Sequence, residues 1–211
     1  MKRSLGVVVD WETTGLRNHK TPHLLYLEGP QGIEIGATLV WLPDVEVIAE
    51  FSSRVRFLGV HAGISYGGPR HEGLTWDADA ERIHGIKVTD LMKEQYPSVV
   101  AEDFVNFVKN NGGIDDPHKT PVMFCGHNPD GDYHYTRQLL YLGGLENGLR
   151  FHHRMIDTFS LGYFVLGVKS SNELFERVSG IKREIHSALE DSRLTTAALR
   201  TIYELCQEKR T

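Results

Sequence analysis

Residues 7–16, VVVDWETTGL, decide the fold of the chain, because a buried strand ends there in a cluster of polar residues. The β-branched apolar run from Leu5 to Asp10 is typical of a buried central strand. The Thr-Thr-Gly sequence at residues 13–15 is typical of the turn that ends such a strand. Strands that form a hairpin next, and then alternate with helices, predict an α/β fold around this first strand.

Two carboxylates stand at the end of the strand. Asp10 and Glu12 are two residues apart, so the alternation of a strand directs both side chains to one face and Trp11 to the other. Carboxylates this close repel each other unless a cation lies between them, and divalent cations prefer such hard oxygen ligands. A solvated pair at a strand end explains the spacing equally well. The hydroxyls and the flexible backbone of residues 13–15 favour a site.

The rest of the pattern predicts one α/β domain, residues 1–211, with a mixed five-stranded sheet flanked by helices. The second and third strands form an antiparallel hairpin around the Pro-Asp pair at residues 43–44. The predicted strands cover residues 5–10, 34–42, 45–57, 121–125 and 154–157. The predicted helices cover residues 78–83, 99–109, 130–142, 158–166, 171–178 and 187–208. We expect irregular loops at residues 17–32 and 58–75.

Composition excludes several classes of protein. With 40% hydrophobic and 24% charged residues and no apolar run near the ~20 that cross a bilayer, we expect a folded cytoplasmic protein without a membrane span. The two cysteines, Cys125 and Cys206, are too far apart to suggest a disulfide framework or a cysteine zinc site. A net charge of −5 argues against a protein that holds duplex nucleic acid mainly through phosphates. The chain has no GxxxxGK[ST] motif, so nucleoside triphosphate binding has no support.

Two later segments also carry chemically useful residues. Residues 127–132, HNPDGD, follow the predicted strand 121–125, where the carboxyl ends of parallel strands form active sites. A helix N-cap at Asn128 or Asp130 is the better interpretation of that segment alone. Residues 186–191, HSALED, begin the last predicted helix. His186 and Asp191 lie about 140° apart on an ideal helix, so they share a site only if His186 precedes the regular turns. A surface histidine and an ordinary helical aspartate are the simpler interpretation of that segment.

Taken together and in order, VVVDWETTGL, FCGHNPDGD and HSALEDS resemble the three exonuclease motifs of the DEDDh family. This family includes the proofreading subunit of bacterial DNA polymerase III and ribonuclease T. The segments IEIGATLV, RIHGI and MIDTFSLG are similar to other family segments in the same order. The resemblance covers most of the chain, residues 5–203, and implies a ribonuclease H-like fold.

The resemblance also implies a role for individual residues. Four carboxylates would coordinate two divalent cations, Mg²⁺ or Mn²⁺, that clamp the scissile phosphate. His186 would be the general base that takes the proton of the attacking water. The implied metal ligands are Asp10, Glu12, Asp132 and Asp191. The residues implied to contact the terminal nucleotide are Thr13, Thr14, Gly15, His84 and Asn128.

The second motif departs from the family pattern. The family usually has alanine after His-Asn and phenylalanine before the aspartate, where this chain has Pro129 and Gly131. The apolar support of the motif is therefore changed, and Tyr133 is a candidate to replace the missing aromatic packing. Asp130 adds a carboxylate that we expect to cap the following helix rather than to repel phosphate.

The leading hypothesis is a metal-dependent 3′–5′ exonuclease that releases nucleoside 5′-monophosphates from single-stranded or frayed 3′ ends. DNA is favoured over RNA, and a polymerase is a candidate partner. An RNA-trimming exonuclease would keep the same five residues, so the motifs do not separate the two. A catalytically idle binding subunit of a replication complex would need none of them. The glycine-rich loop at residues 58–75 is expected to border the substrate channel or a partner surface.

Overall fold

The structure, a computed structural model, describes residues 3–16, 26–68, 71–116, 119–180 and 186–209. Most of the predicted loop at residues 17–32 lies outside the described residues, which resume at residue 26. Within the described ranges, no helix is both long enough and apolar enough to cross a bilayer.

A mixed five-stranded sheet lies at the centre of the fold, which confirms the predicted fold class. In chain order the strands are β1 (Ser4–Thr13), β2 (Gly29–Pro30), β3 (Gly32–Leu42), β4 (Glu46–Arg54), β5 (Val60–His61), β6 (Ile64–Ser65), β7 (Leu74–Thr75), β8 (Val122–Gly126) and β9 (Phe151–Asp157). The central sheet has the order β4-β3-β1-β8-β9. β1 is antiparallel to β3 and parallel to β8, so the carboxyl ends of β1, β8 and β9 lie at one edge.

Helices cover both faces of this sheet. They are α1 (Ala78–His84), α2 (Val88–Leu91), α3 (Pro97–Gly112), α4 (Asp130–Leu142), α5 (Thr158–Leu166), α6 (Ser171–Ser179) and α7 (Ala188–Glu208). α3 and α4 pack with Val7 and Val9 of β1, whereas α7 packs on the opposite face with Val8. Asp10 and Glu12 share the parity of Val8, so the strand directs both carboxylates to the α7 face.

The structure differs from the predicted elements where tertiary pairing outweighs the local pattern. α2 was not predicted, because a helix of one turn shows no period. β9 begins three residues earlier than predicted, since Phe151 pairs with Val122 of β8. The predicted irregular loop at residues 58–75 instead contains the β5–β6 hairpin and β7, which pairs with β2.

A close approach between β3 and α7 fixes the first turn of α7. A Cβ atom on Gly36 would lie 2.1 Å from the carbonyl carbon of Ala188, so the two backbones can touch only because this residue is glycine. The Ala188 N–H donates to Glu34 Oε1 at 3.2 Å, and Ser192 Oγ donates to the carbonyl of Val8 at 3.1 Å. These contacts hold the beginning of α7 over the centre of the sheet.

Candidate active site

The first motif supplies two carboxylates at the carboxyl end of β1. Asp10 is half-buried and Glu12 is buried. Both line a cavity of about 150 Å³, which His127, His186 and Asp191 also line. The strand alternation that predicted a shared face for Asp10 and Glu12 is therefore observed.

The second motif supplies Asp132, in the first turn of α4. The backbone N–H of Trp11, which lies between the two carboxylates of β1, donates to Asp132 Oδ1 at 3.1 Å. Burial raises the pKa of Asp132 to about 8, with a further contribution from the nearby carboxylates of Glu12 and Asp191, against the opposing effect of the Trp11 hydrogen bond. In the absence of cations, this carboxyl therefore holds its proton at neutral pH.

The third motif supplies His186 and Asp191. His186 precedes α7, which begins at Ala188, so the two side chains can meet although they would diverge on a regular helix. His186 Nδ1 lies 3.7 Å from Asp191 Oδ2. The aspartate is almost fully buried, whereas about a third of the imidazole surface is exposed. A buried carboxylate thus lies beside an imidazole that solvent can reach.

These groups fit a divalent cation site. The ligand atoms of Glu12, His186 and Asp191 lie within 4.8 Å of one another, and Asp10 lines the same cavity. Buried carboxylates so close together are costly unless positive charge compensates them, which the raised pKa of Asp132 reflects. Carboxylate oxygens are the ligands that Mg²⁺ and Mn²⁺ prefer. All five residues predicted to form the catalytic centre thus converge at this edge of the sheet.

His127 lines the cavity as well, although sequence reasoning did not select it. Its Nδ1 lies 3.1 Å from Thr158 Oγ1, and that hydroxyl donates to the carbonyl of Gly126. The hydroxyl must therefore accept from the ring, which places the proton of a neutral His127 on Nδ1. The signal was available, because His127 follows β8 directly in the second motif.

A larger pocket of about 430 Å³ adjoins the cavity, and Trp11 lines both. Three residues predicted to contact the terminal nucleotide line this pocket: Thr13, Gly15 and Asn128. The Thr13 hydroxyl donates to the carbonyl of Gly15 at 2.8 Å, which holds the turn closed. Asn128 is exposed and has a left-handed backbone with a φ of 59°, a conformation that asparagine adopts more readily than most residues.

The structure does not bring Thr14 and His84 into this pocket. The Thr14 hydroxyl is buried, where it donates to the carbonyl of Thr75 and accepts from the N–H of Gln31. His84 is also buried, and its Nδ1 accepts from the N–H of Ile86 at 2.9 Å. Burial lowers the pKa of His84, so the ring is neutral at physiological pH. Both side chains pack beneath the turn instead.

The comparisons with known proteins agree with this fold, although no family model matches the chain. DNA polymerase III subunit epsilon of Buchnera aphidicola subsp. Acyrthosiphon pisum (strain APS) is 24% identical over 198 residues, which are 92% of this chain and 70% of that protein. The nuclease domain of 3'hExo, a DEDDh family member solved with rAMP, has a TM-score of 0.64 at 14% identity and covers 97% of this chain and 94% of its own. E. coli Exonuclease I in complex with a dT13 oligonucleotide has a TM-score of 0.64 at 14% identity, over 98% of this chain and 42% of that one. The resemblance to the DEDDh exonucleases is confirmed.

The structure shows what replaces the family residues at positions 129–131 of the second motif. Pro129 is the N-cap residue of α4 and makes no side-chain cap, so the expectation that Asp130 caps the helix is wrong. Asp130 is instead exposed at the wall of the larger pocket. Tyr133 packs edge-on against Phe124 and supplies aromatic contacts at the site of the departure. Gly131 leaves open space in the pocket wall, where an added Cβ would touch nothing within 4 Å.

The loop at residues 58–75 is not part of these two pockets, although the carbonyl of Thr75 accepts from the hydroxyl of Thr14 in the turn beside the larger one. Its described residues line neither of them, but Leu58, Tyr66, Gly67 and His71 line a separate pocket of about 330 Å³ with Tyr96 and Tyr141. A role for this loop in a partner surface or substrate channel therefore stays a prediction.

Proposed function

We propose that the chain is a DEDDh exonuclease that hydrolyses the last phosphodiester bond at the 3′ end of DNA and releases nucleoside 5′-monophosphates. Three carboxylates and one histidine line one small cavity, and Asp132, in the wall of the adjoining pocket, is close enough to Glu12 and Asp191 for their charges to raise its pKa; this convergence of three distant segments supports the proposal. A catalytically idle binding subunit would have no use for this costly cluster of buried acids. The proposed catalytic residues are Asp10, Glu12, Asp132, His186 and Asp191.

The proposed cofactors are two divalent cations, Mg²⁺ or Mn²⁺. The ligands would be the four carboxylates, of which Glu12 and Asp191 are buried and already close to one another. When bound, the cations would neutralise the phosphate, lower the pKa of the attacking water and stabilise the leaving 3′ oxygen. Their positive charge would also return Asp132 to its ionised form.

His186 is proposed as the general base. It lies on the chain segment before α7, so its ring can move relative to the rigid helix that carries Asp191. His186 Nδ1 lies 3.7 Å from Asp191 Oδ2, and about a third of the side chain is exposed, so an attacking water can reach the ring. A neutral imidazole there accepts the water proton at physiological pH.

The larger pocket is proposed to hold the terminal nucleoside. Its volume of about 430 Å³ lies within the range of small-molecule sites. Thr13, Gly15 and Asn128 would contact the nucleoside, and Tyr135 forms part of the wall. Thr14 and His84 would act indirectly, because their buried side chains support the turn.

DNA is the proposed substrate, and RNA is the second candidate. The Buchnera protein that is similar in sequence is a DNA polymerase subunit, and Exonuclease I was solved with a DNA oligonucleotide. A polymerase is the proposed partner on the name of that relative alone. RNA has the support of 3'hExo, which was solved with rAMP. Contacts with the 2′ position would decide between the two substrates.

One experiment tests the proposal. The purified chain is incubated with 5′-labelled single-stranded DNA, a duplex with a 3′ mismatch, or RNA of the same sequence, each with Mg²⁺, Mn²⁺ or a chelator. We expect a ladder that shortens from the 3′ end, nucleoside 5′-monophosphates as products, and no reaction with chelator. The Asp191→Ala variant, purified in parallel, controls for contaminating nucleases. Absence of release from every substrate with both cations would contradict the proposal.

A further inference from the structure

α5 presents an apolar surface to solvent. None of its nine residues, TFSLGYFVL, carries a charge. Phe164 is 84% exposed, Tyr163 50% and Phe159 38%, whereas Thr158 and Gly162 are the buried residues of the helix. A surface helix normally turns polar residues outward, and exposed apolar groups in one patch mark a binding surface.

This surface begins at the proposed active site. The ring centroid of Phe159 lies 5.6 Å from that of His127, which lines the catalytic cavity. Phe159 and Tyr163 are four residues apart and therefore lie on the same side of α5. The ring of Phe164 is perpendicular to that of Tyr163, with centroids 5.6 Å apart. Phe159 and Tyr163 thus lie along one side of α5, and Phe164, about 140° around the helix from Phe159, joins them through its ring contact with Tyr163. We call these three side chains the aromatic row, which leads away from the cavity.

We propose that the aromatic row stacks with the bases of a single-stranded substrate upstream of its terminal nucleotide. This inference rests on the proposed exonuclease function. The pocket proposed for the terminal nucleoside and the catalytic cavity share Trp11, and His127 lines the cavity but not that pocket. A strand with its last nucleoside in the pocket and its scissile phosphate in the cavity would therefore continue past His127 onto Phe159.

The chemistry of the row favours nucleic acid bases. Aromatic faces stack on every base whatever its identity, which suits an enzyme that must advance along any sequence. Stacking also adds affinity for a strand without relying on an excess of positive charge, which this chain lacks because its net charge is −5. Four residues of helix advance about 6 Å, which is close to twice the repeat of about 3.4 Å between stacked bases, so Phe159 and Tyr163 would meet alternate bases.

Cationic side chains flank the row without interrupting it. Arg154 is exposed on β9, ahead of α5, and Lys169 is exposed just after the helix. Arg177 Nη1 donates to the carbonyl of Leu166 at 2.8 Å, which places a guanidinium at the end of α5. The acid at the start of α5, Asp157, accepts from the backbone N–H of Phe159. At the other end, Glu173 Oε2 accepts from the backbone N–H of Lys169. Basic residues are thus available to the phosphates of a strand on the row, with the Arg177 guanidinium held at the end of α5.

The test compares the KM for an eight-nucleotide oligothymidylate with that for the dinucleotide, using Phe164→Ala, Phe164→Leu and Phe164→Trp. We expect a KM for the eight-mer about 10-fold higher in the alanine and leucine variants, an unchanged value in the tryptophan variant, and unchanged kinetics on the dinucleotide. Leucine keeps the apolar surface but not the aromatic face, so it separates stacking from burial. The side chain is 84% exposed, so these substitutions leave the fold intact.

Leu161→Ala is the matched control. Leu161 lies on the same helix and is 37% exposed, but it lines a groove against Leu199 and Ile202 of α7 rather than the aromatic row. This variant should keep the wild-type KM for both lengths. The variants should rank by affinity for the eight-mer as they rank by KM. Fluorescence anisotropy of a labelled eight-mer in chelator measures that affinity without catalysis.

The outcomes separate this inference from the proposed function. If the wild-type chain releases nothing from either length, the exonuclease proposal fails. If it degrades both, yet Phe164→Ala and Phe164→Leu keep the wild-type KM and affinity for the eight-mer, the stacking row is wrong. Sedimentation of the same variants adds a third result. Self-association that Phe164→Ala abolishes, with unchanged eight-mer kinetics, would assign the row to a protein interface and overturn the inference.

Discussion

Replacing Gly36 with alanine should displace the two proposed catalytic residues at the beginning of α7, His186 and Asp191. The added Cβ would lie 2.1 Å from the carbonyl carbon and oxygen of Ala188 and 2.2 Å from the nitrogen of Leu189. These are backbone atoms, which no side-chain rotation can move aside. The helix and the strand must therefore separate by about 1.3 Å, the difference between 2.1 Å and the 3.4 Å at which ordinary contact begins.

A shift of this size is large for a catalytic site. His186 and Asp191 flank the contact, whereas Asp10 and Glu12 stay on the sheet, so the two halves of the proposed site would move apart. A misplacement of about 1 Å costs on the order of 10²-fold in rate. Overpacking should also lower the free energy of unfolding by about 1–3 kcal/mol. We expect kcat/KM to fall by about 10²-fold on an oligonucleotide at saturating Mg²⁺, while the variant remains folded at the assay temperature.

Gly6→Ala is the matched control for this prediction. Gly6 lies on β1 at the end away from the site, and its added Cβ would first meet Leu42 Cδ1 at 2.9 Å, the end of a side chain that can rotate. This variant should lose some stability in thermal or urea unfolding and keep its kcat. A Gly36→Ala variant with kcat/KM within about three-fold of wild type would refute the claim that this close approach sets the site.

Three further predictions concern the site itself. Asp10→Ala should abolish nuclease activity at saturating Mg²⁺ while the circular dichroism spectrum stays that of the wild type, because the residue is half-buried at the cavity rather than packed in the core; near wild-type turnover would remove Asp10 from the ligand set. His186→Ala should lose on the order of 10²–10⁴-fold in rate, and its rate should rise with pH as hydroxide replaces the base, whereas the wild-type rate should level off above the imidazole pKa; an unchanged pH profile would point to another base. The pKa of Asp132 is raised from 3.8 to about 8 in the folded chain, so the folded state binds this proton more tightly than the unfolded state. The free energy of unfolding in chelator should therefore fall as the pH rises between these values, and Asp132→Asn should flatten that slope; equal slopes in urea titrations of both proteins would show that Asp132 is not the group responsible.

Local patterns were sufficient for much of the fold. The β-branched run of β1 and the broad apolar face of α7 follow from side chains that are neighbours in sequence, and both elements are present, although β1 continues to Thr13, three residues beyond its predicted end. Strand alternation alone also predicts that Asp10 and Glu12 share one face. The resemblance to DEDDh motifs then joined these residues to Asp132, His186 and Asp191, which no spacing rule connects.

Element boundaries and cap residues were harder to predict from the sequence. Asp130 was expected to cap α4, but the backbone of the preceding turn makes Pro129 the N-cap residue. The extra length of β9 came from its pairing with β8. The first outcome depends on the backbone angles of the turn before α4, and the second on a strand distant in sequence, which a local window does not contain.

Only the tertiary structure decided which predicted residues share the site. Thr13 and Thr14 are neighbours with the same side chain, yet only Thr13 lines the larger pocket. The hydroxyl of Thr14 is instead hydrogen-bonded to the carbonyl of Thr75 and the N–H of Gln31. His127 enters the cavity because β8 lies beside β1. The hydrogen bond from Trp11 to Asp132 spans 121 positions of the chain, and the contact of Ala188 with β3 depends on the missing side chain of Gly36. Periodicity determines which face of an element is apolar, but the distance between two elements depends on how closely their surfaces can pack, and that is a property of both surfaces together.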